Sequence, residues 1–360
     1  MTAPDVAVIG GGIVGCALAA FLAEGGARVV LYEREAIAAG ASGRNSGVVQ
    51  HTLDAALSSL YEESLEHYRT LGHGFELPAE PAGLLLVSDH PETLEAPPAE
   101  FADLRPTFLE GAALKAAEPA LADGLAAYRL ETGHPVPPAA AASAFAARAR
   151  AAGADLRIGA AAHVAIEDGR AAGVTVGGEL HAAGAVVVAA GPWTPEAITG
   201  DAARRVPIAP LWGVVVELEL AAPPRHVLEE AGIDVLTSEA GAPATLFSAV
   251  TARGISAVGS TFLPERPDPA ALAPGVLARG ARFLPGLTSG RVLGLRACAR
   301  PSSADGRPML GLLPGVEGLA VASGHGPWGI TLGPASARLV ADQLLRHAAE
   351  IPPALSAGRF

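Results

Sequence analysis

The feature that most constrains the fold lies at the start of the sequence, where two apolar runs enclose a glycine-rich turn and a helix-like segment. In chain order these are Val6–Ile9, the glycines Gly10, Gly12 and Gly15, the segment 16–24, the run 28–32 and the acidic residue Glu33. Short continuous apolar runs are typical of strands buried in a parallel sheet. The order strand, glycine turn, helix, strand therefore predicts a βαβ unit within an α/β domain.

The glycines of this unit occupy the positions that a dinucleotide requires. A tight turn needs Gly10, a backbone without a side chain at Gly12 can approach a pyrophosphate, and Gly15 lets the helix pack closely on the strand. The start of the helix offers free N–H donors and the positive end of the helix dipole to phosphates. These features predict a phosphate-binding turn.

The acidic residue that ends the second strand predicts that the turn binds a nucleotide with a ribose, and not a phosphate alone. Glu33 stands about 20 residues after the first glycine, where a carboxylate accepts hydrogen bonds from unphosphorylated ribose hydroxyls. A glycine-rich turn without a ligand is the alternative, but the surrounding strands and the acid favour an adenine dinucleotide. The predicted contacts are Gly10, Gly12, Ile13, Val14, Gly15, Glu33 and Arg34.

Composition restricts the class of protein and its partners. The chain has 360 residues, of which 50% are hydrophobic, so it can form two domains with a substantial core. Its formal net charge of −12 argues against nucleic acid or an anionic membrane as a partner. The absence of a signal-peptide pattern and of a transmembrane segment predicts a cytoplasmic protein. Two cysteines, Cys16 and Cys298, predict neither a disulfide framework nor a metal site.

Signals of the same nucleotide-binding kind return in the middle and at the end of the chain. They are a helix from Pro138 to near Gly153, strands within 163–180, a buried strand at 185–191, a strand at 319–322 and a helix at 334–347. We therefore predict an α/β fold, α+β overall, with a discontinuous Rossmann-like domain and an inserted substrate domain on a mostly antiparallel sheet. The predicted first domain comprises residues 1–78, 138–204 and 290–360, and the predicted second domain comprises 79–137 and 205–289.

Four later motifs join the first in resembling a known enzyme family. They are Gly40-Ala41-Ser42-Gly43-Arg44-Asn45-Ser46-Gly47, Val188-Ala189-Ala190-Gly191-Pro192-Trp193, the stretch 300–308 (RPSSADGRP) and Gly324-His325-Gly326-Pro327-Trp328-Gly329-Ile330. In order and spacing the chain resembles, over essentially its whole length, the D-amino acid oxidase, glycine oxidase and sarcosine oxidase superfamily of FAD-dependent amine oxidoreductases. Its motifs are nearest to those of bacterial glycine oxidase and D-amino acid dehydrogenase.

The resemblance implies FAD as cofactor and oxidation of the C–N bond of a small amino acid or secondary amine. A hydride would pass to flavin N5, and the imine would be hydrolysed. The electrons would then go to oxygen, or to a quinone or other electron-transfer partner. A nicotinamide-dependent dehydrogenase and a non-catalytic flavin-binding subunit of a larger complex are the alternatives.

The resemblance also implies which residues contact FAD. Hydroxyls, a guanidinium and backbone N–H groups of the loop 41–47 suit a diphosphate and a flavin edge, although an ordinary turn-rich connection is the alternative. The turn at 324–331 would lie under the pyrimidine end of the flavin, at the start of the last helix. Val164 would contact adenine through its backbone. The implied set is Ala41, Ser42, Arg44, Asn45, Ser46, Gly47, Val48, Val164, Ala190, Gly191, Trp193, Gly324, His325, Gly326, Trp328, Gly329, Ile330 and Thr331.

Arg300 is the residue that the resemblance assigns to the substrate. A bidentate guanidinium–carboxylate pair would fix the Cα–H of an amino acid towards the flavin. An ion pair with Asp305 is the alternative. Some glycine oxidases have a second arginine in the turn after Gly-His, where this chain has Pro327-Trp328, so the identity of the substrate stays open.

Three other residues have open roles. His51 either faces the substrate or is a polar loop residue, and Trp212 either lines the pocket or packs in the core. Cys298 stands seven residues before Asp305, the register at which sarcosine-oxidase-like relatives attach the flavin covalently. Because Arg300 belongs to the non-covalent branch, we expect non-covalent FAD.

Overall fold

The computed structural model describes residues 4–232, 244–346 and 350–360. Its strands are β1 Val6–Ile9, β2 Val29–Glu33, β3 Val48–Val49, β4 Leu84–Ser88, β5 Thr107–Glu110, β6 Ala126–Leu130, β7 His134–Pro135, β8 Asp155–Ile158, β9 Ala162–Glu167, β10 Arg170–Val176, β11 Glu179–Ala182, β12 Ala185–Val188, β13 Ile208–Glu219, β14 Val227–Glu230, β15 Ala244–Ala252, β16 Ile255–Phe262, β17 Arg291–Ser303, β18 Met309–Leu312 and β19 Leu319–Ser323. Its α-helices are α1 Ile13–Glu24, α2 Ala41–Arg44, α3 Ser58–Arg69, α4 Gly111–Ala117, α5 Ala140–Ala151, α6 Pro269–Ala281 and α7 Gly329–Arg346.

The predicted βαβ unit forms the centre of a six-stranded sheet with the order β18-β19-β12-β1-β2-β8. All neighbours are parallel except β18, which runs antiparallel to β19. Helices α1, α5 and α7 pack together against one face of the sheet. The three-stranded sheet β11-β10-β9 supplies apolar side chains to the opposite face. This layering places the carboxyl end of β1 and the start of α1 at one edge of the domain.

A second sheet has eight strands in the order β17-β13-β16-β15-β14-β4-β6-β5. Only the pair β14 and β4 is parallel, and the other pairs are antiparallel. One face is buried under α6, where Phe247 and Phe283 stack among aliphatic side chains. The predicted fold class, a Rossmann-like sheet combined with a mostly antiparallel one, is therefore confirmed.

The structure differs from the predicted domain division at residues 291–303. The division assigned this segment to the first domain, but β17 pairs with β13 along nearly its whole length, from Ile208 opposite Ser303 to Glu219 opposite Arg291. Its partner lies far away in the sequence, so no local signal indicated the pairing. The remainder of the division stays a prediction.

The last helix also begins earlier than predicted, at Gly329 instead of Pro334. Proline interrupts a helix partly because it cannot donate to the carbonyl four residues earlier. Here that carbonyl, on Ile330, accepts a hydrogen bond from the hydroxyl of Tyr68 instead. The helix therefore continues through the proline, while the predicted end at His347 lies outside the described residues.

None of the described helices combines the length and apolar character needed to cross a membrane.

Candidate cofactor and substrate site

A cavity of about 650 Å³ connects the glycine turn after β1 with the face of the eight-stranded sheet that is turned away from α6. The predicted residues that line it are Gly10, Gly12, Ile13, Val14, Glu33, Arg34, Ala41, Ser42, Arg44, Asn45, Ser46, Gly47, Val48, Ala190, Gly191, Trp193, Trp212, Cys298, Arg300, His325, Gly326, Trp328, Gly329, Ile330 and Thr331. His51, Val164, Gly15 and Gly324 do not line it. Segments that are distant in the sequence thus meet around one space.

The glycine turn has the geometry that its sequence predicted. Gly10 has a φ of +115°, which disfavours residues with a side chain. A Cβ at Gly15 would lie 2.0 Å from the carbonyl oxygen of Gly10, so α1 can approach β1 only with glycine there. Gly15 therefore shapes the site from outside the cavity.

Glu33 is held at the end of β2 by two backbone donors. Its carboxylate accepts hydrogen bonds from the N–H of Gly11 at 2.7 Å and from the N–H of Glu35 at 2.7 Å. Beside it, the exposed guanidinium of Arg34 stacks 4.2 Å from the ring centroid of Trp193. The carboxylate faces the cavity with lone pairs left over, as a ribose-binding acid requires.

The loop after residue 38 is not an ordinary turn-rich connection. It contains the short helix α2, and the side chain of Asn45 forms hydrogen bonds with its backbone. The Asn45 side chain donates to the carbonyls of Ala41 and Ser42, and its oxygen accepts from the N–H of Gly47 at 2.7 Å. The hydroxyl of Ser42 accepts from the N–H of Ile13 at 2.9 Å. The loop is thereby fixed against the first turn of α1.

Val164, whose backbone the resemblance assigns to adenine, does not line the cavity. Its N–H donates to the carbonyl of Ala197 at 2.8 Å, and its carbonyl accepts from the hydroxyl of Thr199. Both backbone groups are thus engaged within the protein. The cavity wall is formed instead by its neighbours Ala162 and His163.

Arg300 extends from β17 across the backbone of Gly213, where a Cβ would lie 2.4 Å from one guanidinium nitrogen. The guanidinium donates to the carbonyl of Thr261 at 3.0 Å and to the hydroxyl of Ser260. It also lies 4.6 Å from the ring centroid of Phe262. Burial lowers the pKa of Arg300, but a guanidinium stays charged in proteins.

Within the described part of the chain, no carboxylate pairs with the Arg300 guanidinium. Asp305, the alternative partner, accepts two hydrogen bonds from Arg359 instead, at 2.7 and 2.8 Å. A buried cation without a counter-ion is costly. The cavity therefore presents a positive charge that an anionic ligand can neutralise.

The two histidines of the region are held neutral by burial. The pKa of His51 is lowered, and its ring accepts from the N–H of Leu53 and lies 3.0 Å from the hydroxyl of Ser58, away from the cavity. Burial lowers the pKa of His325 to about 4, and its main chain shapes the turn before α7 by accepting from the N–H of Trp328. His51 is thus packed within its loop and does not line the cavity, which favours the loop role over contact with the substrate.

Trp212 is at the cavity wall, with the guanidinium of Arg266 5.7 Å from its ring centroid. Sequence reasoning missed two polar residues that line the same cavity, Gln50 and Glu229. Gln50 stands two residues after Val48, the last predicted contact of the flavin loop, and this proximity was a usable signal. Glu229 belongs to a short strand whose pairing is long-range, so no local pattern indicated it.

Comparison with known proteins identifies the family. The family model described as FAD dependent oxidoreductase matches residues 5–343, and the chain belongs to this family. A glycine oxidase from Pseudomonas aeruginosa is 29% identical over 97% of this chain and 97% of that protein. The crystal structure of glycine oxidase from Geobacillus kaustophilus matches with a TM-score of 0.81 and 25% identity, covering 100% of both chains. That of iminodiacetate oxidase from Chelativorans matches with a TM-score of 0.74 and 25% identity, covering 98% of both.

Family membership confirms the predicted enzyme class and FAD as the cofactor. The cavity fits this cofactor, because the glycine turn and Glu33 suit its ADP part while the start of α7, at the other end, suits a flavin. The alternative of a nicotinamide-dependent dehydrogenase is therefore wrong, because the family uses FAD.

Cys298 lines the cavity but is only 2% exposed, and burial raises the pKa of its thiol. A protonated thiol is a poor nucleophile. We therefore expect acid precipitation of the yellow protein to leave a colourless pellet and a yellow supernatant. Colour that stays with the pellet, and is lost in Cys298→Ala, would contradict non-covalent binding.

Proposed function

We propose that the protein oxidises the C–N bond of a small amino acid or secondary amine that carries a carboxylate. The observation that carries this proposal is the Arg300 guanidinium, which lines the cavity without an acidic partner in the described residues. A guanidinium in this position suits a planar carboxylate bound through two parallel hydrogen bonds. The family and the glycine and iminodiacetate oxidases that the chain resembles support a substrate of this kind.

The residues of the site would bind and orient this substrate. Arg300 is anchored by Ser260 and Thr261, so a carboxylate on it has a defined position relative to the cofactor. FAD, which the glycine turn, Glu33 and the loop 41–47 would hold, would supply the two-electron oxidation that converts the amine to an imine, and water would hydrolyse the imine. The reaction requires an unprotonated amine at the outset but no dedicated base.

The positions of the histidines agree with such a reaction. His51 lies outside the cavity, and His325 is neutral at pH 7 because burial lowers its pKa to about 4. Neither provides a proton acceptor of ordinary strength beside the substrate. Orientation and electrostatics would therefore be the main contribution of the protein.

A panel of D-, L- and N-methyl amino acids tests this proposal. We expect at least one small member to be turned over to a carbonyl compound, with either hydrogen peroxide formation or reduction of a quinone dye, which also identifies the electron acceptor. Retention of FAD without turnover of any panel member by either acceptor would contradict the proposal and favour the non-catalytic flavin-binding subunit.

A further inference from the structure

The part of the cavity beside β14 contains two groups that accept hydrogen bonds, the side-chain oxygen of Gln50 and the carboxylate of Glu229. Gln50 is 1% exposed, and its amide nitrogen donates to the carboxylate of Glu229 at 2.9 Å. The side chains of Gln50 and Glu229 come from segments far apart in the sequence, yet both line the cavity. Because a carboxylate only accepts hydrogen bonds, this contact fixes the orientation of the Gln50 amide.

The fixed orientation leaves one atom unpaired. The side-chain oxygen of Gln50 is buried and has no hydrogen-bond partner in the described structure. A buried polar atom without a partner destabilises the protein, because it has lost its hydrogen bonds to water and gained none in return. A ligand group that donates hydrogen bonds would satisfy this oxygen and would lie beside the negative charge of Glu229.

The register of the eight-stranded sheet separates this acceptor pair from Arg300. The guanidinium is bonded to Ser260 and Thr261 on β16. On the next strand, β15, Ser248 lies opposite Gly259, and on β14 Glu229 lies opposite Ser248. Two strand spacings amount to about 10 Å. The α-amine of an amino acid is one carbon away from its carboxylate, so it does not span that distance.

We propose that Glu229 and Gln50 bind a second, cationic amine on the side chain of the substrate, so that the enzyme prefers basic amino acids over neutral ones of the same length. This inference rests on the proposed function, since Arg300 must hold the carboxylate at the other end. The cavity is then complementary to a long dipolar molecule. The Arg300 guanidinium, held against β16, donates to one end, and Glu229 on β14 and Gln50 accept from the other.

The first test compares lysine with norleucine, which has the same chain length without the amine. In the holoenzyme we expect kcat/KM for flavin reduction to favour lysine, and Glu229→Gln to lower the lysine-to-norleucine ratio roughly 10- to 100-fold. Glu219→Gln makes the same charge change at an exposed ion pair with Arg291 and should leave the ratio as in the wild type. Gln50→Leu removes the unpaired acceptor and should lower the ratio as well.

The second test measures binding without turnover. ε-Aminocaproate and caproate both lack an α-amine and differ only in the distal amine. Titration followed by the visible spectrum of the bound flavin should show at least tenfold tighter binding of ε-aminocaproate to the wild type, and equal affinities in Glu229→Gln.

The outcomes separate the two proposals. Equal affinities in the wild type, or an unchanged lysine-to-norleucine ratio in both Glu229→Gln and Gln50→Leu, would overturn the acceptor site while leaving the carboxylate site intact. Failure of both ligands to bind the wild-type holoenzyme, with flavin reduction unaffected in Arg300→Ala, would overturn the carboxylate site and this inference with it.

Discussion

Replacing Arg300 by alanine is expected to slow flavin reduction at subsaturating amino acid by roughly tenfold to several hundredfold. The guanidinium is held by Ser260 and Thr261 and faces the cavity, so its loss removes a charge-assisted pair worth about 1.5–3 kcal/mol. FAD content should not change, since this part of β17 belongs to the eight-stranded sheet and not to the sheet that carries the glycine turn. Rapid mixing without oxygen measures the rate.

Two comparisons make the result specific. Arg300→Lys should recover only part of the loss, because an ammonium keeps the charge but not the planar pair of donors. Arg291→Ala, on the same strand but 70% exposed in its side chain, should behave like the wild type. Undiminished reduction by amino acids in Arg300→Ala would show that this residue does not bind the carboxylate.

The second large effect is expected at Gly12, where valine should abolish FAD retention. Gly12 precedes α1 with a φ of −78°, which valine tolerates, and a Cβ there would lie 3.1 Å from the hydroxyl of Ser42. The added methyl groups would occupy the space that the pyrophosphate must approach. FAD released per mole of denatured protein measures the effect.

A surface glycine provides the matched control for this substitution. A Cβ at Gly286 meets no atom within 4 Å, so Gly286→Val should retain its FAD. Circular dichroism of both variants beside wild-type apoprotein separates cofactor loss from unfolding. Full FAD content in a folded Gly12→Val protein would show that the pyrophosphate lies elsewhere.

The parts of the structure that the sequence predicted well are those encoded by neighbouring residues. The βαβ unit follows from contiguous apolar runs and from the close approach that Gly15 permits. Arg300 was found because it lies in a recognisable motif. Only the structure shows that Arg300 does not pair with Asp305. The partner of Asp305 is Arg359, which lies 54 residues after Asp305 in the sequence.

Long-range pairing explains what the sequence did not reveal. The place of β17 in the eight-stranded sheet depends on its ladder with β13, and the bond from Tyr68 to Ile330 allows a helix to pass through Pro334. The resemblance assigned the backbone of Val164 to adenine, but in the structure this backbone forms hydrogen bonds with Ala197 and Thr199. Glu229 and Gln50 meet across 179 positions of sequence, so neither indicated the other.

The most direct test of the central claim is anaerobic reduction of the bound flavin by an amino acid and by the amine that lacks only its carboxylate. The account predicts that the amino acid bleaches the flavin of the wild type much faster than the amine does, and that Arg300→Ala removes most of this difference. Equal rates for the two compounds in the wild type, or no bleaching by any member of the amino acid panel, would contradict it.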